Sequence, residues 1–158
     1  MMETETMGRV LVTARIENMR DLVAVEMGVL QPAQVRAVEV TDALVDTGAS
    51  MLSLPRQMID QLGLIYLRSQ RTRTASGTSD ARLYGLVKLT IQDRNFTTDV
   101  LELPDGSPVL IGQLPLEAMD WVIDMPGRRL IGNPAHGGEQ MYELYSIFPN
   151  SPEPRQGD

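Results

Sequence analysis

No apolar run in this chain outlasts a single strand. Stretches rich in Val, Ile and Leu are cut at short intervals by Gly, Pro, Asn, Asp and Ser, a spacing that points to short strands joined by turns and away from packed long helices. Val10, Val12, Ala14 and Ile16 alternate with Leu11, Thr13 and Arg15, the pattern of a strand with one buried face. Residues 22–30 (LVAVEMGVL) read as a second strand. Val35 to Val45 reads as a third, with Val38, Val40 and Leu44 on one face, and it runs directly into Asp46.

One helix is clearly signalled: Pro55 suits a first helical position, Met58, Ile59 and Leu62 form one stripe, and Gly63 suits the left-handed residue that ends it. Strand patterns return at Leu64–Gln70 and Leu83–Gln92, separated by the polar, flexible segment Thr72 to Arg82 with Ser76-Gly77 as a hairpin tip. A strand over about Phe96 to Leu103 follows, then the triplet Val109-Leu110-Ile111 ending on Gly112. Pro115 to Met119 suits one or two helical turns. Trp121-Val122-Ile123 and Arg129-Leu130-Ile131 form a final hairpin around Met125-Pro126-Gly127.

A length of 158 residues suits one domain. Its expected extent is residues 10–134, with residues 1–9 a flexible N-terminal segment and residues 135–158, rich in Pro towards the end, a disordered tail. There is no internal repeat.

The chemistry open to the chain is narrow. There is no Cys and one His, His136, which excludes disulfides, thiolate metal sites, cysteine nucleophiles and any site built from several imidazoles. His136 itself reads as an exposed loop residue, and Trp121 as a core or interface anchor. No metal and no cofactor is expected, and catalysis would fall to carboxylates, hydroxyls or amines. With 21 acidic against 14 basic residues the net charge is −7, which suits the phosphate backbone of a nucleic acid poorly, and neither a nucleic acid nor a membrane is an expected partner. The one basic cluster, Arg68, Arg71 and Arg73, reads as a solvated strand or loop face. No apolar run spans a membrane, and Glu3 and Glu5 stand where a signal peptide would need apolar residues, so the expected location is cytoplasmic.

The segment Ala43-Leu44-Val45-Asp46-Thr47-Gly48-Ala49-Ser50 places an acid straight after an apolar strand and before a small-residue turn. Acids are rarely buried unless paired, so a carboxylate delivered by such a strand needs a partner. The plainer reading is a turn in which Asp caps the backbone and Gly supplies an unusual conformation. The flanking apolar pair, and a second apolar pair with Gly downstream, weigh against it.

In these features the sequence resembles the retroviral-type (retropepsin-like) aspartic protease family, including its bacterial members. The family's apolar pair before Asp-Thr/Ser-Gly-Ala is matched by Leu44-Val45-Asp46-Thr47-Gly48-Ala49, and its second signature by Leu110-Ile111-Gly112. Between them the family places a flap hairpin, where this chain has Thr72 to Arg82. The resemblance covers about residues 10 to 132. It implies a mostly β, closed barrel-like domain with one or two short helices. Asp46 would be the catalytic acid/base, one of two carboxylates that share a proton and activate a water to attack a peptide carbonyl.

Since the chain holds a single Asp-Thr-Gly, the second Asp46 would come from a second copy, in a homodimer with the active site on its two-fold axis. By the same resemblance Thr47 would hydrogen-bond across that axis, Gly48 would offer its carbonyl to substrate, and Ala49, Ile111 and Gly112 would support the loop. Ala75, Ser76, Gly77 and Thr78 would form the flap tip that meets an extended peptide. Many retroviral members carry an acid two residues after the motif glycine and an Arg directly after the second-signature glycine; here those positions are Ser50 and Gln113.

Two other readings compete. An aspartyl phosphotransferase would place a second Asp two residues after the first, where this chain has Gly48. A retropepsin-like module that dimerises or binds peptides without hydrolysis is the stronger alternative, because fold does not fix function.

Overall fold

Short strands need neighbours on both edges, and this chain supplies them by closing its sheet on itself. The computed structural model describes residues 9–144. In chain order the strands are β1 (Leu11–Asn18), β2 (Ala37–Val45), β3 (Ser53–Pro55), β4 (Ile65–Thr74), β5 (Gly77–Ile91), β6 (Arg94–Leu103), β7 (Leu110–Ile111), β8 (Trp121–Asp124) and β9 (Arg129–Gly132). Three short helices accompany them: α1 (Met19–Glu26), α2 (Arg56–Leu62) and α3 (Gln113–Ala118). The main sheet runs β1-β2-β7-β3-β6-β5-β4, and a further pairing of β1 with β5 closes six of those strands into a barrel. Closure gives each of those six a neighbour on both sides, though β2 meets β7 only at Leu44 and Val45 and β6 meets β3 only at Leu101 to Leu103. β4 stays outside the ring, held by β5 alone, and β8 and β9 form a separate hairpin.

The barrel interior is apolar. Ala14 and Ile16 of β1, Val87, Leu89 and Ile91 of β5, Val100 of β6 and Ile111 of β7 are all buried, together with Leu52 and Leu54 around β3. α2 turns Ile59 and Leu62 into this core and stops at Gly63, which takes the left-handed conformation (φ 64°). The mostly β, closed-barrel architecture expected from the sequence is therefore the one observed. Among the described residues no helix is long and apolar enough to cross a membrane.

Three local expectations are corrected. Residues 22–30 do not form a strand; α1 occupies most of that stretch. Its start is fixed by Asn18, a buried residue whose side chain accepts a hydrogen bond from the Asp21 N–H at 3.1 Å and donates to the Leu62 carbonyl at 2.9 Å. That cap, with Asp21 in the positive first turn, overrides the strand preference of the Val-rich segment. Second, Val38, Val40 and Leu44 do not share a face. Val12 pairs with Ala43 but Ala14 with Val40, so Thr41 and Asp42 both stand opposite Thr13. This bulge flips the alternation and buries Ala43 and Val45 in place of Leu44.

Third, Thr72 to Arg82 is not a loose segment. β4 and β5 pair without interruption from Arg68 opposite Leu83 to Thr74 opposite Gly77, leaving Ala75 and Ser76 as a two-residue turn.

The sequence reading ended the domain at residue 134, yet residues 135–144 are fastened to it. Asn133 caps a short 3-10 turn, Pro134–His136, by accepting from the Ala135 N–H at 3.0 Å. Arg94, buried beneath this segment, donates to the carbonyls of Met119, Asp120 and Gly138, and its guanidinium stacks 4.0 Å from the ring centre of Trp121. Trp121 is thus buried as an anchor. His136, expected in an exposed loop, instead sits largely buried between the carboxylates of Asp120 and Glu143. The remainder of the expected tail, residues 145–158, and residues 1–8 of the expected N-terminal segment lie outside the described residues.

Candidate active site

Asp46 is the first residue past β2, and the barrel decides what it meets. β2 runs parallel to β7, with Leu44 opposite Leu110 and Val45 opposite Ile111, so the Asp46 N–H donates to the Ile111 carbonyl at 2.9 Å. The chain then turns sharply: the Ala49 N–H returns to the Asp46 carbonyl at 3.1 Å, and the Gly48 N–H donates to Asp46 Oδ1 at 2.9 Å. A donor aimed at one carboxylate oxygen fixes the side-chain rotamer of a half-buried acid. Gly48 suits this approach, since a Cβ there would stand 3.1 Å from Asp46 Oδ1.

The second apolar-apolar-Gly motif holds the loop from beneath. A Cβ on Gly112 would lie 2.5 Å from the Met51 carbonyl oxygen and 2.7 Å from that of Ala49, so only glycine lets the loop pack down on this strand end. Two backbone bonds then clamp the loop to the start of α3: Gln113 N–H to Ala49 O and Leu114 N–H to Ser50 O, each 2.9 Å. Ser50 and Gln113, which stand where many retroviral members carry an ion pair, make no hydrogen bond to each other among the described residues; each is held by the other's chain neighbour, and the Gln113 side chain donates to Glu117 at 2.9 Å. The Thr47 side chain is exposed and makes no hydrogen bond among the described residues.

Beside the Asp46 loop opens a cleft of about 450 Å³. One wall is the loop itself, from Gly48 to Met51, with Ser53. The floor is Leu83, Leu101, Leu103 and Leu110, and the other wall is β4 from Gln70 to Thr74. Five consecutive β4 residues border the cleft regardless of which face their side chains take, so it is the unpaired edge of this strand that lies along it. Of the expected flap residues, Ala75 and Ser76 form the turn and Gly77 and Thr78 begin β5; the cleft wall is made by the strand before them. The arm is braced at its root, where Tyr66 meets Tyr84 edge-on at 5.7 Å and Arg82 lies 5.0 Å from the centre of the Tyr66 ring. The Glu102 carboxylate beside Tyr84 holds that phenol above its ordinary pKa.

A larger concavity, about 690 Å³, lies between α1 and β1, but its charged lining mixes Arg15 and Lys88 with Glu17 and Glu26, and it contains no residue of either motif. Among the described residues no cluster of His, Asp and Glu could hold a metal ion.

The structure therefore brings Asp46, Thr47, Gly48, Ala49, Ile111 and Gly112 into one constellation. The leucine floor and the β4 edge were not found from sequence. Their signal is register, which emerges only when β4, β5 and β6 are paired.

A family model described as aspartyl protease matches residues 31–113, more than half of the chain, and the match takes in both motifs and the β4–β5 arm. No curated protein matches the chain.

Proposed function

The chain belongs to the aspartyl protease family, and from that premise we propose that it is an endopeptidase whose water is activated by two Asp46 carboxylates, one from each subunit of a homodimer. One observation carries this reading: a lone Asp46, its rotamer set by the Gly48 N–H, opens the loop whose next residues, Gly48 to Met51, wall a cleft bordered on its other side by an unpaired strand edge. A single carboxylate cannot act as base and acid in the same step. Two carboxylates about 3 Å apart cannot both ionise, so they share one proton and divide the roles.

The reaction then needs nothing beyond these groups. The ionised Asp46 takes a proton from the water as its oxygen attacks the scissile carbonyl carbon, and the protonated Asp46 of the second subunit donates to the carbonyl oxygen. The tetrahedral intermediate collapses when the hydroxyl proton returns to one carboxylate, the amide nitrogen is protonated by the other, and the C–N bond breaks. Thr47, exposed and without a hydrogen-bond partner among the described residues, is free to hydrogen-bond across the two-fold axis of such a dimer. The substrate is an extended peptide adding to the β4 edge, with main-chain hydrogen bonds giving affinity and side-chain subsites giving selectivity.

The test is cleavage of a peptide library by the wild type beside Asp46→Asn, with the particle mass of both measured. Cleavage lost in the variant while a dimer persists is the expected result. Undiminished cleavage by Asp46→Asn, or a strictly monomeric active enzyme, would overturn the reading.

A further inference from the structure

The cleft beside Asp46 is basic in an acidic protein. Among the described residues its charged lining is Arg71 and Arg73 alone, although the chain as a whole carries −7. From sequence these arginines read as a solvated strand face; the structure sets them along the cleft wall. Arg71 is partly engaged, donating to Thr78 Oγ1 at 3.2 Å and lying 3.5 Å from Asp80. Arg73 has no carboxylate within ion-pair distance among the described residues.

Register decides what those charges would face. Thr72 pairs with Ser79 and Gln70 with Ala81, so their side chains share the face of Leu83, which is floor; Arg71 and Arg73, opposite Asp80 and Thr78, take the other face. A peptide strand laid along the free edge of β4 obeys the same alternation. Its residue opposite Thr72 points towards the leucine floor, and its residues opposite Arg71 and Arg73 are that residue's immediate neighbours.

On this geometry we infer that the cleft selects peptides in which an apolar residue over the floor is flanked directly by Asp or Glu, with Arg73 the principal specificity-determining residue and Arg71 the second. This deepens the proteolytic reading above and rests on it.

Two fluorogenic peptide sets test it, both with a central Leu and differing only in Glu or Gln at the adjacent positions. They are assayed on the 158-residue chain, on Arg71→Gln/Arg73→Gln, and for binding on Asp46→Asn. The wild type should cleave the Glu set with kcat/KM about fivefold or more above the Gln set, the size of effect that one or two partly exposed charge pairs produce. That ratio should fall towards one in the double arginine variant. It should also shrink in 1 M salt, where the screening length drops to about 3 Å. Cleavage without a Glu preference, or with one that the arginine variant leaves intact, overturns the inference and spares the protease reading. No cleavage, but preferential binding of the Glu set that depends on the arginines, overturns the protease reading and keeps the inference. Neither cleavage nor preferential binding overturns both.

Discussion

The imidazole of His136 reaches the buried carboxylate of Asp120, Nδ1 to Oδ2 at 2.5 Å, and its other nitrogen lies 2.8 Å from Glu143 Oε1. The single histidine is thereby a clip between the residue that ends the α3 turn and the last described stretch of chain. Glu143, and then Asp120, hold its pKa above the ordinary imidazole value, while His136 in turn pulls Asp120 below the ordinary carboxylate range.

A proton held more tightly in the folded chain stabilises the fold below the unfolded pKa, and that contribution is lost as pH rises through the folded value. For the lowered Asp120 the sense is opposite: its contribution is present above the usual carboxylate range and disappears as pH falls through its lowered value. The clip is therefore strongest between these limits. His136→Gln should lower the melting temperature most just below the ordinary imidazole pKa of about 6.5, and progressively less as pH rises through the raised folded value. Melting curves of both proteins across that range check it; a gap independent of pH would refute it. As the only imidazole in the chain, His136 also gives a single NMR titration, which Glu143→Gln should move towards the ordinary value.

Gly112→Ala should be damaging out of proportion to one methyl group. The added carbon meets backbone atoms of Met51 and Ala49, which cannot rotate away, so the Asp46 loop must lift. A loss of about 1–3 kcal/mol in denaturant unfolding is expected. Peptidase activity should fall further than the unfolded fraction accounts for. Wild-type activity in a stable Gly112→Ala protein would contradict the support role given to this residue.

Asp21→Asn tests the anchor of α1. Asp21 accepts from the Arg36 backbone N–H at 3.0 Å and from two guanidinium nitrogens at 2.9 Å, and the Arg36 side chain holds its pKa below the ordinary carboxylate value. Because Arg36 is half exposed, the cost at neutral pH should be modest, about 1 kcal/mol. It should vanish as pH falls through the lowered pKa of Asp21, since protonation removes the charge that the variant lacks.

On the proposed two-carboxylate mechanism the rate of peptide cleavage should peak in acid or mildly acid solution, where one proton would remain on the pair, and the two limbs of the profile would belong to the pair and not to either carboxylate. A rate flat from about pH 4 to 9 contradicts the shared-proton mechanism. Removing the paired charge in Asp46→Asn should tighten the proposed dimer, read as a shift in the concentration at which sizing resolves monomer.

Local chemistry made much of this molecule legible before any coordinates. Alternation in Val10 to Ile16, the stripe and terminal glycine of residues 55–63, and the apolar strand feeding Asp46-Thr47-Gly48 act within a few neighbours, and each lies where the sequence put it to within two residues at either end. What the sequence could not specify depends on partners distant along the chain. The bulge at Thr41 and Asp42 exists only against β1. The helix at Met19 depends on Asn18, which also ties to Leu62, 44 residues on. The cleft wall is the edge that β4 is left with once β5 has taken its other side, and His136 becomes a clip only because Asp120 and Glu143 converge on it. Strand character and the acid at the end of β2 were set by residue order. Parity, edge and pairing were set by closure of the barrel, because a pleated strand has no fixed inside until a second strand is laid beside it.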